Sequence, residues 1–254
     1  MIAGLFRRRR TGAPAGDAAI GAVAPRSAAR THVGQVRRIN EDRMLDRADR
    51  GLWAVADGMG GHSAGDVAAS IAVAALNRIA DAGAPPTVEA VEAALHDANR
   101  EILDRCAAAP GTSGTTIVAM LIAGGRATLF WAGDSRAYRV RGGAVEQLTR
   151  DHSLVQEMVD AGAIDTEAAR HHPRANVVTR AMGVAAEVAF DRAESAVLPG
   201  DAFILCSDGF SRTLDPVELL PFAGRAVDAA ADALLAQALA RDGTDNISVV
   251  LVQV

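Results

Sequence analysis

Lysine is missing altogether: every one of the 26 basic residues in this 254-residue chain is arginine. A Walker-A NTPase, a lysine-dependent protein kinase and a lysine Schiff-base enzyme each need an ammonium group, so all three classes are excluded. Cysteine is scarce. Cys106 and Cys206 fit neither a metal-site nor a disulfide-framework spacing, and two ordinary thiols in a reducing compartment are expected. No apolar run approaches the roughly 20 residues of a membrane span; the longest, such as Ile117 to Ala123, are strand-sized. A secretory leader is not expected either, because the stretch after Arg7 to Arg10, Thr11-Gly12-Ala13-Pro14-Ala15-Gly16-Asp17, is too polar and broken. A cytoplasmic protein with no membrane span is expected. Net charge is −5, and without the four-arginine cluster 22 basic residues face 31 acidic ones, a balance of −9. An acidic body of that kind argues against a nucleic-acid partner.

Half the residues are hydrophobic, enough for one sizeable core. Residues 1–25 are Ala, Gly, Pro and Arg without periodicity and read as a disordered basic tail, leaving 26–254 as one domain. Strand-like runs occupy Thr31 to Gly34, Arg43 to Leu45 and Leu52 to Ala56. Helical spacing follows over Asp66 to Ala82 and Val88 to Cys106. Between Gly114 and Leu148, four short β-rich runs separated by glycine pairs and Gly133-Asp134 read as an antiparallel meander. Residues 151–185 are polar, with a helix near Ser153 to Ala161, and suggest an excursion from the sheet. Strands near Val188 to Glu194, Ala202 to Cys206 and Ile247 to Val254, with helices near Pro216 to Phe222 and Val227 to Arg241, complete the chain. Strands clustered in hairpins and helices in pairs argue for an α+β fold with antiparallel sheets.

The chemistry concentrates in carboxylates. Asn40-Glu41-Asp42, Ala56-Asp57-Gly58, Gly133-Asp134-Ser135, Ser207-Asp208-Gly209 and Thr244-Asp245-Asn246 recur at strand ends, where sheets can aim several of them into one cleft. Such a cleft repels itself unless cations fill it or protons stay on. Oxygen-only ligands select hard ions, Mg²⁺ or Mn²⁺, and two of them about 3.5–4 Å apart could activate a shared water against phosphorus. Glycine after aspartate allows close backbone approach, so the Gly58 carbonyl can itself be a ligand. The segment Gly34 to Asp42 brings arginine beside the cluster, and a guanidinium fork suits phosphate oxygens.

Two rival sites share these residues. Gly61-His62-Ser63-Ala64-Gly65 matches the nucleophile elbow of α/β-hydrolases, but four residues separate it from its strand and the sheet read above is not parallel. Cys206 to Arg212 has the C-x₅-R spacing of cysteine-dependent phosphatases, yet Asp208 inside the loop opposes both a phosphate dianion and a thiolate. A third alternative, a catalytically dead fold that binds phosphoproteins, should have lost an aspartate or the arginine, and none is lost.

Together the segments G-Q-V-R-R-I-N-E-D, V-A-D-G-M-G-G-H, S-G-T-T, W-A-G-D-S-R-A-Y, L-T-R-D-H-S, N-V-V-T-R-A-M-G, L-C-S-D-G and D-N-I-S-V-V resemble, in order, the metal-dependent serine/threonine protein phosphatases, the protein phosphatase 2C or PPM family in its short bacterial form. The resemblance implies a four-layer α-β-β-α sandwich of two antiparallel sheets, with a flap subdomain at about 153–185. It implies hydrolysis of phosphoserine and phosphothreonine in proteins by a metal-bridging hydroxide. Asp57 then bridges two Mn²⁺ or Mg²⁺ ions, Asp208 and Asp245 complete the first site and the Gly58 carbonyl the second. Glu41 and Asp42 act through water, Asp134 with Asp208 holds a third ion, and Arg37 binds phosphate. Met59 stands where animal members carry a histidine proposed as general acid, which leaves a metal-bound water or His152 as the proton donor. Phosphorylated proteins, a cognate serine/threonine kinase whose action is reversed, and forkhead-associated or secretion-system proteins are the implied partners of a monomer.

Overall fold

The computed structural model describes residues 24–60, 64–106 and 113–254. The tail expected over 1–25 therefore falls almost wholly outside the described residues, as do His62 and Ser63, and the side chain of Cys106 is likewise not described. In chain order the elements are β1 (Arg26–His32), β2 (Arg43–Arg47), a 3₁₀ turn (Ala48–Arg50), β3 (Leu52–Ala56), β4 (Gly58–Met59), α1 (Ala64–Asp81), α2 (Val88–Cys106), β5 (Gly114–Thr115), β6 (Ile117–Ala123), β7 (Arg126–Ala132), β8 (Arg136–Arg141) and β9 (Ala144–Gln147). There follow α3 (Leu154–Asp160), α4 (Thr166–Arg170), β10 (Asp191–Ala196), β11 (Ala202–Cys206), α5 (Asp208–Ser211), a 3₁₀ helix (Pro216–Phe222), α6 (Val227–Arg241) and β12 (Ile247–Gln253).

Two five-stranded antiparallel sheets form, ordered β1-β12-β11-β8-β9 and β10-β7-β6-β3-β2. The central strands β3 and β11 are apolar along their whole length because both faces are covered. In β3, Trp53 and Val55 point between the sheets while Leu52, Ala54 and Ala56 point at α1 and α2; in β11, Phe203 and Leu205 point between the sheets while Ile204 and Cys206 point at α6. Three separate apolar clusters result, helix on sheet, sheet on sheet and sheet on helix, and these are the interfaces of a four-layer α-β-β-α sandwich. No helix among the described residues is long and apolar enough to cross a membrane.

The single meander read between Gly114 and Leu148 is not what forms. β6 and β7 make a hairpin in one sheet, β8 and β9 a hairpin in the other, and the chain crosses between sheets at Gly133-Asp134-Ser135. Gly133 permits the crossing: its φ is +118°, and a Cβ there would lie 2.5 Å from Thr116 Cβ. The run Thr115 to Ile122 is likewise broken at Thr116, whose N–H donates to the Asp57 carbonyl at 2.9 Å.

Residues 153–178 leave the sheets and return to the point of departure. Leu154 N–H donates to Val177 O and Thr179 N–H to His152 O, both at 2.9 Å. Inside this excursion α3 starts at Ser153, whose hydroxyl accepts the Gln156 N–H, and α4 starts at Asp165, whose carboxylate accepts the Ala168 N–H at 2.7 Å. The expected helix at 216–222 is a 3₁₀ helix, with a capping box of Asp215 and Glu218 at its start and Pro221 inside it.

Candidate metal centre

The cleft lies at one end of the sandwich, where both sheets stop in acidic residues. Asp57 follows β3, Asp134 follows β7, Asp208 opens α5 directly after β11, Asp245 precedes β12, and Glu41 and Asp42 precede β2. Their charges lie close enough to act on one another. Asp57 feels repulsion from Asp42, Asp208 and Asp134, and Asp42 feels it from Asp208 and Asp245. Six of the residues singled out in the sequence, with Arg37 as a seventh, are thus brought together.

Backbone geometry fixes the floor. The Asp57 carbonyl accepts the Thr116 N–H at 2.9 Å and the Thr115 hydroxyl at 3.0 Å, while its N–H donates to Thr116 Oγ1 at 3.3 Å. Thr116 Oγ1 is shared with Ser135 Oγ at 2.7 Å, so Asp57 and the inter-sheet crossing are tied by one pair of hydroxyls. Gly58 is surrounded by backbone: a Cβ there would come within 2.3 Å of Gly65 O and 2.7 Å of Glu41 O. Only glycine lets α1, β4 and the Glu41 strand-entry converge so tightly.

Asn246 holds the other wall. Its Oδ1 accepts the Glu41 N–H at 2.8 Å, and its Nδ2 donates to Val33 O at 2.9 Å and Ile39 O at 3.0 Å. The loop carrying Arg37 is thereby fastened to the residue beside Asp245. The sequence signal for this role was present in the Asp245-Asn246 pair but gave no sign of the partners, over 200 positions away. Asp242, the other acidic residue near this site, instead accepts the Thr244 N–H and hydroxyl within its own turn.

Burial is the first cause of unusual proton affinity here. It pushes the Asp42 carboxyl up to about 7, and Asp208 and Asp245 add to it. The Ser207 and Ser248 hydroxyls flank Asp42 and oppose the shift, but Ser207 Oγ accepts the Ser248 N–H at 3.0 Å and Ser248 Oγ is shared with Thr31 at 2.7 Å. Both Asp42 oxygens and Glu41 Oε1 are buried without a hydrogen-bond partner. Asp134 is pushed up to about 8 by burial and then by Asp208 and Asp151, with Arg212 and Arg136 pulling the other way. Asp57 is reached by solvent yet enclosed by protein on most sides, and desolvation with three neighbouring carboxylates raises it well above the ordinary range. Burial raises Glu41 as well, against the pull of Arg37.

Two arginines supply positive charge. Arg37, half exposed, places Nη2 2.8 Å from Asp245 Oδ2. Arg212 places Nη2 2.8 Å from Asp208 Oδ2 and 3.5 Å from Asp134 Oδ2. Arg212 entered the sequence analysis only as the end of the C-x₅-R spacing, so its position on the acidic pair is new. As placed, no three His, Cys, Asp or Glu side chains among the described residues form a ready-made ion cage, and Asp134, Asp208 and Asp245 face arginines instead. The groups available to a metal ion are the carboxylates of Asp57, Asp208, Asp245, Asp134, Asp42 and Glu41 and the Gly58 carbonyl. This is an oxygen-only set matched to a hard divalent cation.

The rival chemistries fare differently. Cys206 is fully buried in β11 beneath α6, and burial pushes its thiol up to about 12, so no thiolate is available for attack. His152 is occupied on both ring nitrogens. Nδ1 accepts the Gly133 N–H at 3.1 Å, and Nε2 lies 3.3 Å from Asp191 Oδ2 and 2.9 Å from Arg180 Nη1. Burial lowers its proton affinity further, and the ring stacks on Trp131. It braces the Gly133 crossing.

Comparison with known proteins finds relatives along most of the chain. The description Protein phosphatase 2C matches residues 30–241. The serine/threonine phosphatase stp of Listeria monocytogenes is 35% identical over 236 residues, covering 88% of this chain and 94% of that one. Among solved structures, PppA, a key regulatory component of T6SS in Pseudomonas aeruginosa, matches with a TM-score of 0.82 at 42% identity over 91% of this chain and 98% of that one. The catalytic domain of the serine/threonine protein phosphatase PstP in complex with two manganese ions matches with a TM-score of 0.82 at 36% identity over 90% of this chain and 97% of that one. A family match across most of the length, relatives named as phosphatases and a shared two-sheet architecture lead to one conclusion: the chain belongs to the protein phosphatase 2C family and is a metal-dependent serine/threonine phosphatase.

Proposed function

We propose that the cleft around Asp57 is the catalytic centre, hydrolysing phosphoserine and phosphothreonine in proteins, and that its acidic residues hold the metal ions. The observation that carries this reading is the delivery of Asp42, Asp57, Asp134, Asp208 and Asp245 from both sheets into one cleft beside Arg37. Orphaned buried oxygens on Asp42 and Glu41, together with the Gly58 cradle, fit such ions. Asp57 would contact two of them, Asp208 and Asp245 the first and the Gly58 carbonyl the second. Glu41 and Asp42 would act through water, and Asp134 with Asp208 would hold a third. Mn²⁺ or Mg²⁺ bound there supplies Lewis acidity that makes water nucleophilic near neutral pH.

The chain's own residues do the rest. Arg37 reaches solvent from a loop pinned by Asn246, so its fork can leave Asp245 for the non-bridging oxygens of an arriving phosphomonoester. Asp57, oriented by Thr115 and Thr116, fixes the direction of in-line attack. Within this reading residues 26–254 are the catalytic domain and about 153–185 its flap. The protein acts as a monomer in the cytoplasm and reverses a serine/threonine kinase. Its substrates are phosphorylated forkhead-associated or secretion-system proteins, and the similarity to PppA favours the latter.

The test is hydrolysis of a phosphothreonine peptide after EDTA treatment, then with Mn²⁺ or Mg²⁺ restored, in parallel with a serine-directed acylating reagent and a thiol alkylator. Loss with EDTA, return with metal and indifference to both reagents are expected. Activity that survives EDTA and falls to either reagent would overturn the assignment.

A further inference from the structure

Arg212, at the C-cap of α5, is held from two sides. Toward the core its guanidinium meets Asp208 at 2.8 Å and Asp134 at 3.5 Å. Toward the excursion Nη1 donates to Asn176 Oδ1 and Nη2 to the Ala175 carbonyl at 3.3 Å. Asn176 and Ala175 lie on the limb that returns the excursion to the sheets, just before the Val177 and Thr179 hydrogen bonds that close it. Between excursion and core runs a cleft of about 530 Å³, lined by Gln156 and Arg170 on one side and by Asp134, Asp208 and Arg212 on the other.

A second tie, Arg170 to Asp215 at 2.5 Å, also spans the gap, but both partners are more than half exposed and such a pair contributes little. The partners of Arg212 are different. The side chains of Asp134 and Asp208 are only 6% and 16% exposed, so their attraction for a cation is weakly screened. Two carboxyl groups face one monovalent guanidinium there, and a divalent ion, with twice the charge, is the stronger partner for the same oxygens. A divalent ion seated between Asp134 and Asp208 competes with the guanidinium for Oδ2 of both and repels its positive charge. Whatever displaces the guanidinium also pulls it from Asn176 and Ala175.

We infer that Arg212 is a positioning residue that couples the Asp134–Asp208 pair to the 153–178 excursion: it latches the excursion to the core, and a divalent cation entering that pair releases the latch and opens the cleft to a phosphoprotein. This rests on the proposed metal role of Asp134 and Asp208. Linkage makes the coupling reciprocal, so removing the guanidinium strengthens cation binding and loosens the excursion together.

Hydrogen exchange of the full chain, in EDTA and in Mn²⁺, combined with Mn²⁺ calorimetry, tests it. In the wild type, amides of residues 163–178 exchange faster once Mn²⁺ is added. Arg212→Gln exchanges there roughly tenfold faster already in EDTA, the factor expected from losing a charge-assisted hydrogen bond. It responds no further to Mn²⁺ and binds its weakest Mn²⁺ ion several-fold more tightly. Asn176→Ala, which leaves both carboxylates to Arg212, speeds the same amides with a smaller change in Mn²⁺ affinity, and it serves as the second variant should Arg212→Gln not fold. Wild-type protection retained in either variant, or Mn²⁺ affinity unchanged or weakened in Arg212→Gln, overturns the coupling while leaving the metal centre in place. A wild type that binds no Mn²⁺ at all overturns the metal assignment and the coupling with it.

Discussion

Asp42 offers the cleanest measure of the electrostatic load in the cleft, because Asp42→Asn removes one charge while keeping the shape. With the Asp42 carboxyl raised to about 7 in the folded protein against an ordinary value of 3.8, the folded state binds this proton more tightly than the unfolded state. Stability from this group is therefore complete below about pH 4, declines as the pH rises, and is lost above about pH 7. A gap of about 3 units corresponds to about 4 kcal/mol. At roughly 2–4 °C per kcal/mol for a domain of this size, the metal-free protein should lose about 10 °C in Tm across that window through Asp42 alone. Thermal unfolding in EDTA from pH 4.5 to 8, followed by circular dichroism, gives the comparison. Other groups titrate too: Asp201, fully buried yet held low by Arg141, destabilises at the acid end. That contribution is common to both proteins and cancels in the difference between wild type and Asp42→Asn. The difference should grow with pH in favour of the variant, and saturating Mn²⁺ should shrink it by supplying the missing charge. Parallel curves for the two proteins in EDTA would refute the reasoning.

Asp57→Asn and Asp208→Asn should each abolish turnover of a phosphothreonine peptide in Mn²⁺ while circular dichroism shows a folded chain; a near-wild-type rate from either would remove that residue from the metal centre. Arg37→Ala, in a half-exposed loop, should raise KM for a small phosphomonoester far more than it lowers kcat, and an unchanged KM would count against its phosphate role. Gly58→Ala places a methyl 2.3 Å from Gly65 O, so about 1–3 kcal/mol of stability should go with the forced separation of β4 and α1. Denaturant unfolding reads this directly, and a midpoint matching the wild type would mean the cradle is looser than drawn.

The sequence revealed elements wherever local pattern alone decides them. β3, α2, β11 and α6 begin and end where periodicity placed them, because each is bounded by a turn or a break in pattern. The meander failed for a physical reason: Gly133-Asp134-Ser135 has the composition of a tight turn, and nothing local distinguishes a turn within a sheet from a passage between two sheets. What distinguishes them is Thr116, 17 positions earlier, closing over Gly133 and sharing its hydroxyl with Ser135. β10 begins at Asp191 instead of near Val188 because its register is set by pairing with β7, Asp191 opposite Trp131. In the same way the aspartates were legible as a recurring Asp at strand ends, whereas Asn246 and Arg212 were not. Asn246 reaches Glu41 across 205 positions and Arg212 reaches Asp134 across 78, distances over which sequence pattern carries no information.

The position of the acidic cluster follows from the architecture. Strands that are buried on both faces can carry charge only at their ends, so the aspartates gather where the two sheets stop. They gather at the end where the chain also changes sheet, and there the residues that orient Asp57 are the same residues that close the sandwich. Thr116 ties Asp57 to the Gly133 crossing, and Asn246 ties the Arg37 loop to the last strand. Repulsion among five carboxylates then acts directly on the joints between sheets, pushing apart the elements that the three apolar clusters hold together. Cation binding in such a place must do two things at once, neutralising the site and tightening the fold around it. The excursion at 153–178 is the exception, because its attachment through Arg212 uses the same carboxylate oxygens that a cation would take. One end of the molecule should therefore stiffen, and its flanking segment loosen, in response to the same ion.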